Sequence, residues 1–550
     1  MEDPDRDRAQ GRRGDPLPMV KRLDNNRCGG WLAIGLVAGL VIVLMSPTSE
    51  TARAADESDY YRLVTILTSR AATQSRSKFW KPPPKGLVLE VSGMAPVGKN
   101  RLAVTIRKGE IWFLDRVYDE PPRNITYRRF AEALHEPLGL LRQGNSFLTA
   151  QRTELTRITD TDGDLVADEY ICVSNGWGVT GNYHEYAFGP KLDGQGNLWM
   201  TLNIGMGFQG KQSSLMVRNK TLNVAQARWR GWGVQVNRSG KLVPVCAGMR
   251  SPSGLGANRA GDMFYTDQQG NWVGTNSLHH MRAGAFFHHP EALASMNLPG
   301  SPISGITSIP DGLPLPEAVK RLPHLKPPAV WFPYKKVGQS ATDIVLDNSH
   351  GRFGPFDGQL FVGEFTLASI NRVFLEKVGG EYQGACFPFR EGLASAVIRL
   401  AQGHDGSLFA GLSNRGWSSL GTAAYGLQRL VWTGKTPFEI KEIQARHDGF
   451  ELVMTRPVQI ETARQIGSYS VNSYTYTYHS TYGSDEIQKK RLAIRSVQIS
   501  QDRLRIRLRI DGLREMFVHE LHAPGLRSQD GQPLLHPTGY YTLNRIPPTP

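Results

Sequence analysis

Residues 100–116 read NRLAVTIRKGEIWFLDR: a turn residue, an apolar run, a Gly-centred reversal and a second apolar run that ends in charge. The phrase returns as NSFLTAQRTELTRITD from Asn145, GNLWMTLNIG from Gly196 and GDMFYTDQQGNWVG from Gly261. It returns again as GQLFVGEFTLASINRVFLE from Gly358 and GSLFAGLSNRGWSSLGTAAYGLQRLVW from Gly406. Alternating side chains point to opposite faces of a strand, and the Gly, Asp and Asn residues supply the tight reversals. Self-similarity at roughly 45 residues or more marks a propeller rather than a sandwich. A single repeat of this kind exposes its apolar faces, so the copies must join into a closed ring to bury them. Six copies predict an all-β chain whose residues 86–435 form a six-bladed β-propeller.

Two stretches break the rhythm. Residues 290–335 are rich in proline and read as a long loop across one face of the ring. Beyond Thr436 a different β pattern begins, with strands expected at Gly449–Arg456, Tyr474–His479, Leu492–Ile499, Leu504–Ile510 and Tyr540–Asn544. This spacing predicts a small immunoglobulin-like sandwich over 436–550. Arg503, Arg505, Arg507 and Arg509 share one strand face there, which reads as a solvated face with cross-strand partners or as an anion-docking strip. Tyr474, Tyr476 and Tyr478 read as cross-strand packing or as a sugar platform.

The chain of 550 residues is 40% apolar with 58 Gly and 34 Pro, a balance that fits a globular protein of many short strands and excludes a disordered one. Its formal net charge of +14 suits contact with anionic ligands or headgroups. No basic run interleaved with stacking aromatics follows a nucleic-acid module, so nucleic acid is not an expected partner. Residues 1–54 carry basic residues (Arg12, Arg13, Lys21, Arg22, Arg27), an apolar run from Trp31 to Met45, and an A-x-A site at Ala52 and Ala54. They read as a signal peptide, or as an anchor that leaves residues 31–45 in the membrane. Either way the body is exported, periplasmic or at the cell surface. Residues 55–85 are a lead-in, with Tyr60–Ser69 a short helix or strand and KPPPK at 81–85 a linker. Beyond the leader only Cys172, Cys246 and Cys386 remain, with no CxxC spacing. That count excludes a disulfide framework, a thiolate zinc site of standard spacing and a CxxCH haem site.

Four groups of residues could carry chemistry. Asp160, Asp162, Asp164, Asp168 and Glu169 crowd carboxylates around Gly163, a calcium loop or a plain acidic hairpin tip. Leu165 and Ile171 stand where an EF-hand needs Gly and Glu. His184, beside Glu185, and His135, beside Glu136, sit where strands enter the ring; each is a candidate general base or a hydrogen-bonded structural histidine. Arg250 precedes a Ser-Pro turn and could offer its planar fork to a ligand or pair within the protein. The doublets His279-His280 and His288-His289 could bind metal, although adjacent histidines diverge on a strand.

The ordered phrases GMRSPSGL at 248–255 and DQQG at 267–270, with AFGP at 187–190 and DGSLF at 405–409, resemble the soluble glucose/sorbosone dehydrogenase-like family. Those proteins are six-bladed propellers that bind pyrroloquinoline quinone (PQQ) with Ca2+. More closely, the chain resembles the large membrane-bound-dehydrogenase-like proteins of planctomycete-type bacteria. The resemblance runs from about Tyr60 to Trp432, and it implies that Arg250 contacts the quinone and that Gln269 and Gly270 lie near the backbone holding its calcium. It places the family base at Gly181, three residues before His184, the quinone-binding lysine near Thr366, and a pair of arginines near Ala396 and Ile398. Ser251 stands where the family has Asn. The function implied is oxidation of a sugar or aldehyde, with His184 or His135 as base. The alternatives are a non-catalytic propeller binding polysaccharide or a partner protein, and a non-redox carbohydrate-active enzyme.

Overall fold

A computed structural model describes residues 56–69, 87–206, 223–224 and 227–549. The expected export segment at 1–54, with its apolar run, and the KPPPK linker lie outside the described residues. Among the described residues no helix is long and apolar enough to cross a membrane.

Each repeated phrase becomes the middle of one four-stranded antiparallel sheet. Sheet I is Val91–Val97, Arg101–Ile106, Glu110–Asp115 and Thr126–Ala131. Sheet II is Leu141–Gln143, Ser146–Ala150, Leu155–Thr159 and Glu169–Ser174. Sheet III is Ala187–Leu192, Leu198–Leu202, Trp232–Val236 and Leu242–Ala247. Sheet IV is Gly254–Ala257, Met263–Asp267, Asn276–His280 and Val330–Phe332. Sheet V is Ala341–Leu346, Leu360–Glu364, Ser369–Val378 and Glu381–Arg390. Sheet VI is Val397–Gln402, Leu408–Ser413 and Tyr425–Trp432, completed on its outer side by Tyr61–Thr68 from the start of the described chain. That last pairing runs antiparallel from Tyr61↔Trp432 to Thr68↔Gly426, so the ambiguous stretch Tyr60–Ser69 is mostly strand.

The sheets follow one another in a cycle, and a hydrogen bond crosses every junction. Ser92 Oγ donates to Pro137 O (I to II, 2.6 Å) and Gly189 N to Leu138 O (III to II, 3.1 Å). Thr201 Oγ1 donates to Pro252 O (III to IV, 2.7 Å), Thr266 Oγ1 to Thr342 O (IV to V, 2.8 Å) and Thr342 Oγ1 to Val397 O (V to VI, 2.7 Å). Arg399 Nε donates to Ser92 O at 2.9 Å and returns the cycle from sheet VI to sheet I. Buried carbonyls near an axis have no water to turn to, and these side chains satisfy them. Glycine permits the close approach at one of these junctions: a Cβ on Gly254 would stand 2.0 Å from Thr342 O. Alternation does the rest. Leu102, Val104 and Ile106 pack with Phe409 and Leu427 of sheet VI, while Ala103 and Phe113 pack with Phe147 and Ile158 of sheet II. The architecture is all-β and propeller-like.

The tail is fused to this ring rather than appended to it. Thr538–Leu543 pairs with the outer strand of sheet V through Cys386↔Tyr540, and Phe517–His522, Ser470–Thr475 and Ile487–Leu492 extend that sheet to eight strands. Ile440–Arg446, Gly449–Met454, Arg505–Ile510 and Ile494–Ile499 make a second sheet. The core between the two contains Phe387 of sheet V with Ile443, Phe450, Leu508 and Tyr541. Arg503 lies in the turn before the strand; Arg505 and Arg509 are exposed and meet Glu451 and Asp448, while Arg507 is mostly buried against Asp448. Tyr474, Tyr476 and Tyr478 are buried with Trp272 and Trp331, so the run packs the core and offers no sugar platform. Residues 290–335 are not one bare loop, and Val330–Phe332 within them is the outer strand of sheet IV. Leu293, Ile303, Ile306, Leu315 and Leu325 are buried, with a 3-10 turn at Pro290–Ser295 and a short helix at Leu315–Arg321; the proline-based reading overlooked the apolar residues between the prolines.

His536 ties the segment before Tyr61–Thr68 to the tail. Its Nε2 lies 2.9 Å from Glu57 Oε1 and its Nδ1 2.6 Å from Glu439 Oε1. Burial alone would lower its pKa, but the two carboxylates raise it to about 9. A group whose folded pKa lies above its unfolded value stabilises fully below the unfolded value, near 6.5, and loses that contribution as pH rises through the folded one. The protein should therefore exceed His536→Gln in stability by on the order of 3 kcal/mol at pH 6. Urea denaturation as a function of pH should show the gap closing by about pH 9 to 10; a gap independent of pH would contradict the clamp.

Candidate active site

A cavity of about 370 Å³ opens at one end of the ring. Every sheet or the segment entering it contributes: Ser92, Leu138, Tyr186, Ser253, Thr342 and Arg399 are examples in order from I to VI. A much narrower space of about 20 Å³ shares Leu138, Phe188, Ser253 and Arg399 with it, and Gly93, Gly139 and Gly189 line that space. Arg399 thus forms the cavity floor, bonding carbonyls of Ser92 and Ser253 from two other sheets.

His184 lies on the wall. Its Nδ1 stands 3.2 Å from Ile204 O and 3.1 Å from Asn203 Nδ2; the carbonyl accepts from an Nδ1–H ring and the amide donates to an Nε2–H ring, so each tautomer satisfies one of the two. Nε2 has no partner among the described residues, and in the Nδ1–H tautomer it is a lone-pair acceptor. Burial, reinforced by the positive charges of Arg250, Arg152 and Arg107, lowers the pKa to about 4 against the pull of the Ile204 bond. The imidazole is therefore neutral at physiological pH. Asn203 Nδ2 donates to His184 O at 3.0 Å and fixes the backbone.

The loop carrying His184 is fastened from behind. Arg152 bonds Asn182 O (2.9 Å), Tyr183 O and Glu136. Glu136 also accepts from Arg107 Nε at 3.1 Å, and Arg107 Nη2 donates to Tyr186 Oη at 2.7 Å. Both guanidiniums sit over the Tyr186 ring, 5.0 and 5.1 Å from its centroid. The two arginines hold Glu136 below the usual carboxylate range although burial opposes them. Glu185 does not orient His184. It is buried facing the other way, accepting from Thr180 N and Oγ1.

The structure brings His184 to the cavity and places the other candidates elsewhere. His135 is exposed and outside the lining. Arg250 is buried with Nη1 at 3.3 Å from both Ser251 Oγ and Gln269 O, its guanidinium under the Tyr482 ring and against Gly270. Its neighbours Ser251, Ser253 and Gln268 reach the cavity; Gln269 and Gly270 do not. Asp267 accepts from Arg250 N and Ser251 N and so shapes this turn. Burial raises its pKa to about 6.

The acidic loop joins the two outer strands of sheet II and none of its residues lines the cavity. Carboxylate oxygens of Asp160, Asp162 and Asp168 lie within 4.8 Å of one another, the only such group of three among the described residues. Their backbone already uses them: Asp160 accepts from Gly163 N and Leu165 N, and Asp168 from Thr161 N. Asp164 accepts from Val166 N, and Glu169 opens the outer strand. His279 and His288 form a buried pair with Nε2 atoms 2.9 Å apart. Burial lowers both pKa values, that of His288 to about 3. His280 packs on Tyr382, and His289 caps the turn at Pro290.

Sequence reasoning missed Arg399, Arg415, Trp417 and Arg107. Arg399 stands one residue from the position that the resemblance assigned to a cofactor arginine at Ile398. Its signal was the Arg in the inner strand Val397–Gln402, otherwise mostly apolar, where a charge needs a reason.

No protein-family model matches the chain, and no curated protein matches it. Solved structures that resemble it include a Thermus thermophilus protein assigned as a glucose dehydrogenase, at 14% identity and TM-score 0.45, covering 68% of this chain and 100% of that one. The PQQ-bound aldose sugar dehydrogenase of Streptomyces coelicolor is similar at 12% identity and TM-score 0.41, over 67% and 98%. The holo PQQ domain of a Coprinopsis cinerea pyranose dehydrogenase is similar at 12% identity and TM-score 0.38, over 69% and 96%. At these identities and TM-scores the likenesses assign neither a fold nor an activity to this chain.

Proposed function

We propose that the chain is an exported six-bladed propeller with an immunoglobulin-like tail, whose axial cavity binds a carbohydrate-like ligand and oxidises it in the manner of the PQQ-dependent sugar dehydrogenases. The observation that carries the reading is His184: a neutral imidazole, with Nε2 unengaged, on the wall of a cavity to which all six sheets contribute.

The cavity fits a planar polyanion such as PQQ. Arg399 is only 4% exposed, its bonds go to carbonyls, and among the described residues no carboxylate is in ion-pair contact with it; Asp343 acts on it from farther away. A buried guanidinium without a bonded counter-ion is costly, and a ligand carboxylate would remove that cost. Phe188, 5.2 Å from the guanidinium, and Tyr186 offer aromatic walls. Arg399 with Arg107 would hold the quinone, which supplies a hydride acceptor when bound. The acidic loop is too separate from the lining to place a calcium ion there.

The chain's own residues do the rest. His184 Nε2 accepts the proton of the hydroxyl being oxidised, in the tautomer whose Nδ1–H donates to Ile204 O. The Glu136–Arg152 clamp holds the loop at Asn182 and Tyr183, so the base does not drift. Burial, with the nearby arginines adding to it, keeps the imidazole neutral between turnovers. Purified protein incubated with PQQ and Ca2+ should retain quinone absorbance after desalting and reduce dye with an aldose or aldehyde. His184→Gln should keep the quinone and lose about 10²- to 10⁴-fold in kcat/KM. Absence of retained quinone and of dye reduction at micromolar cofactor would remove the oxidation reading. Stabilisation by sugars without turnover would favour a binding module.

A further inference from the structure

The cavity mouth carries a cation and an aromatic face that the oxidation chemistry does not use, and both come from the loop after Leu408–Ser413. Arg415 donates only through Nε, to Glu90 Oε1 at 3.1 Å; its two Nη groups have no partner among the described residues, and its side chain is 44% exposed. Two residues on, Trp417 rests on Phe365 with ring centroids 4.4 Å apart. Its indole is nevertheless 46% exposed, so one face remains open. Tyr183, 51% exposed, also lines the mouth.

This loop is built, not loose. Asn414 N donates to Ala424 O (3.1 Å) and Leu420 N to Thr366 O (2.8 Å). Ser419 Oγ donates to Phe365 O and Trp417 Nε1 to Thr366 Oγ1, both at 2.9 Å. A surface salt bridge alone explains neither an anchored, half-exposed tryptophan nor a guanidinium held by one nitrogen with its fork free. Sugars present C–H faces to aromatic rings, and a free guanidinium edge matches a carboxylate with two parallel bonds.

We infer that the mouth is a subsite for an acidic sugar residue, so that the ligand is a uronate-containing glycan: the sugar face lies on Trp417, its carboxylate on the Nη pair of Arg415, and the chain continues toward Tyr183. The inference rests on the reading that the cavity takes a carbohydrate, but it needs no cofactor, and its test uses none. Calorimetric titration of the full-length, quinone-free protein compares a short oligogalacturonate with its methyl ester, which keeps the shape and removes the charge. The acid form should bind at least about 10-fold more tightly, with affinity falling as salt rises. Arg415→Gln should weaken the acid form by about 10- to 100-fold and leave the ester nearly unchanged. Trp417→Ala should weaken both forms, and Trp417→Phe should recover most of that loss, which separates stacking from loop collapse. Equal binding of acid and ester, an acid preference that survives Arg415→Gln, or no binding of either would overturn the subsite. Dye reduction with neutral aldoses, measured separately, would leave the oxidation reading standing in each of those cases.

Discussion

A chain that begins at Leu87 should not form the ring. It lacks Tyr61–Thr68, the strand that completes sheet VI. Tyr60, Tyr61, Val64, Ile66 and Leu67 are all buried in the full chain. At about 1.5–3 kcal/mol for each large apolar side chain buried, their loss removes on the order of 7–15 kcal/mol, which is comparable with the whole stability of a typical domain. The partner strand Tyr425–Trp432 would also become an open edge with unpaired backbone groups, a template for aggregation. Glu57 disappears too, and with it one of the two carboxylates on His536 and the partner of Arg390. Size-exclusion chromatography with near-ultraviolet circular dichroism should show aggregate or an expanded chain. Adding a peptide spanning residues 56–69 should restore some native signal. A monomeric, cooperatively melting truncation would refute closure by this strand.

Replacing Arg372 with Ala should be the most damaging single change away from the cavity. Arg372 is fully buried between Phe356 and Phe387, 4.3 and 4.0 Å from their ring centroids. It donates to Lys441 O (2.9 Å), Ile440 O and Gln359 Oε1 (3.2 Å), and its Nη2 lies 3.7 Å from Glu439. It therefore joins sheet V to the first strand of the tail's second sheet. Alanine leaves several buried acceptors without donors, a carboxylate with one partner fewer and a void between two rings. Removing one member of a buried ion pair typically costs about 3–5 kcal/mol; here the hydrogen bonds lost go to carbonyls and Gln359 rather than to Glu439. The urea midpoint should fall accordingly, with Lys recovering only part of the loss because an ammonium cannot stack or reach three acceptors. A loss within about 0.5 kcal/mol, the range for surface changes, would show that the tail is not held through this residue.

What the sequence made legible follows from range. The repeated phrase is local, and the structure uses it in every sheet as the second strand, with the third often included. Alternation was expected to turn one face of each strand to the core, whereas the near-continuous apolar run at 102–106 is buried on both faces. The pairing Tyr61↔Trp432 is not local. YRLVTILT suits either a helix or a strand, and only the open edge of sheet VI decides. Five of the tail's strands were seen near their places, while Ile440–Arg446, Ile487–Leu492 and Phe517–His522 were not; the attachment was missed too, because nothing in Thr538–Leu543 distinguishes an edge of its own sheet from the edge of sheet V. The site divides in the same way. His184 stood out as a polar group in an aromatic stretch. Arg107 lies far along the chain from Arg399 and Arg415, and they meet only through the ring. Arg250 matched a motif, while its guanidinium packs under Tyr482 outside the cavity lining.

On the proposed reading, a neutral, unengaged imidazole awaits a saccharide in the axial cavity. Nitrogen-15 histidine spectra recorded from about pH 3 to 8, with His184→Gln identifying the signal, address it directly. His184 should titrate near pH 4 with its proton on Nδ1, donated to Ile204 O, and a bound sugar should shift its Nε2 resonance. Titration near the ordinary value of about 6.5, with no response to sugar, would contradict it.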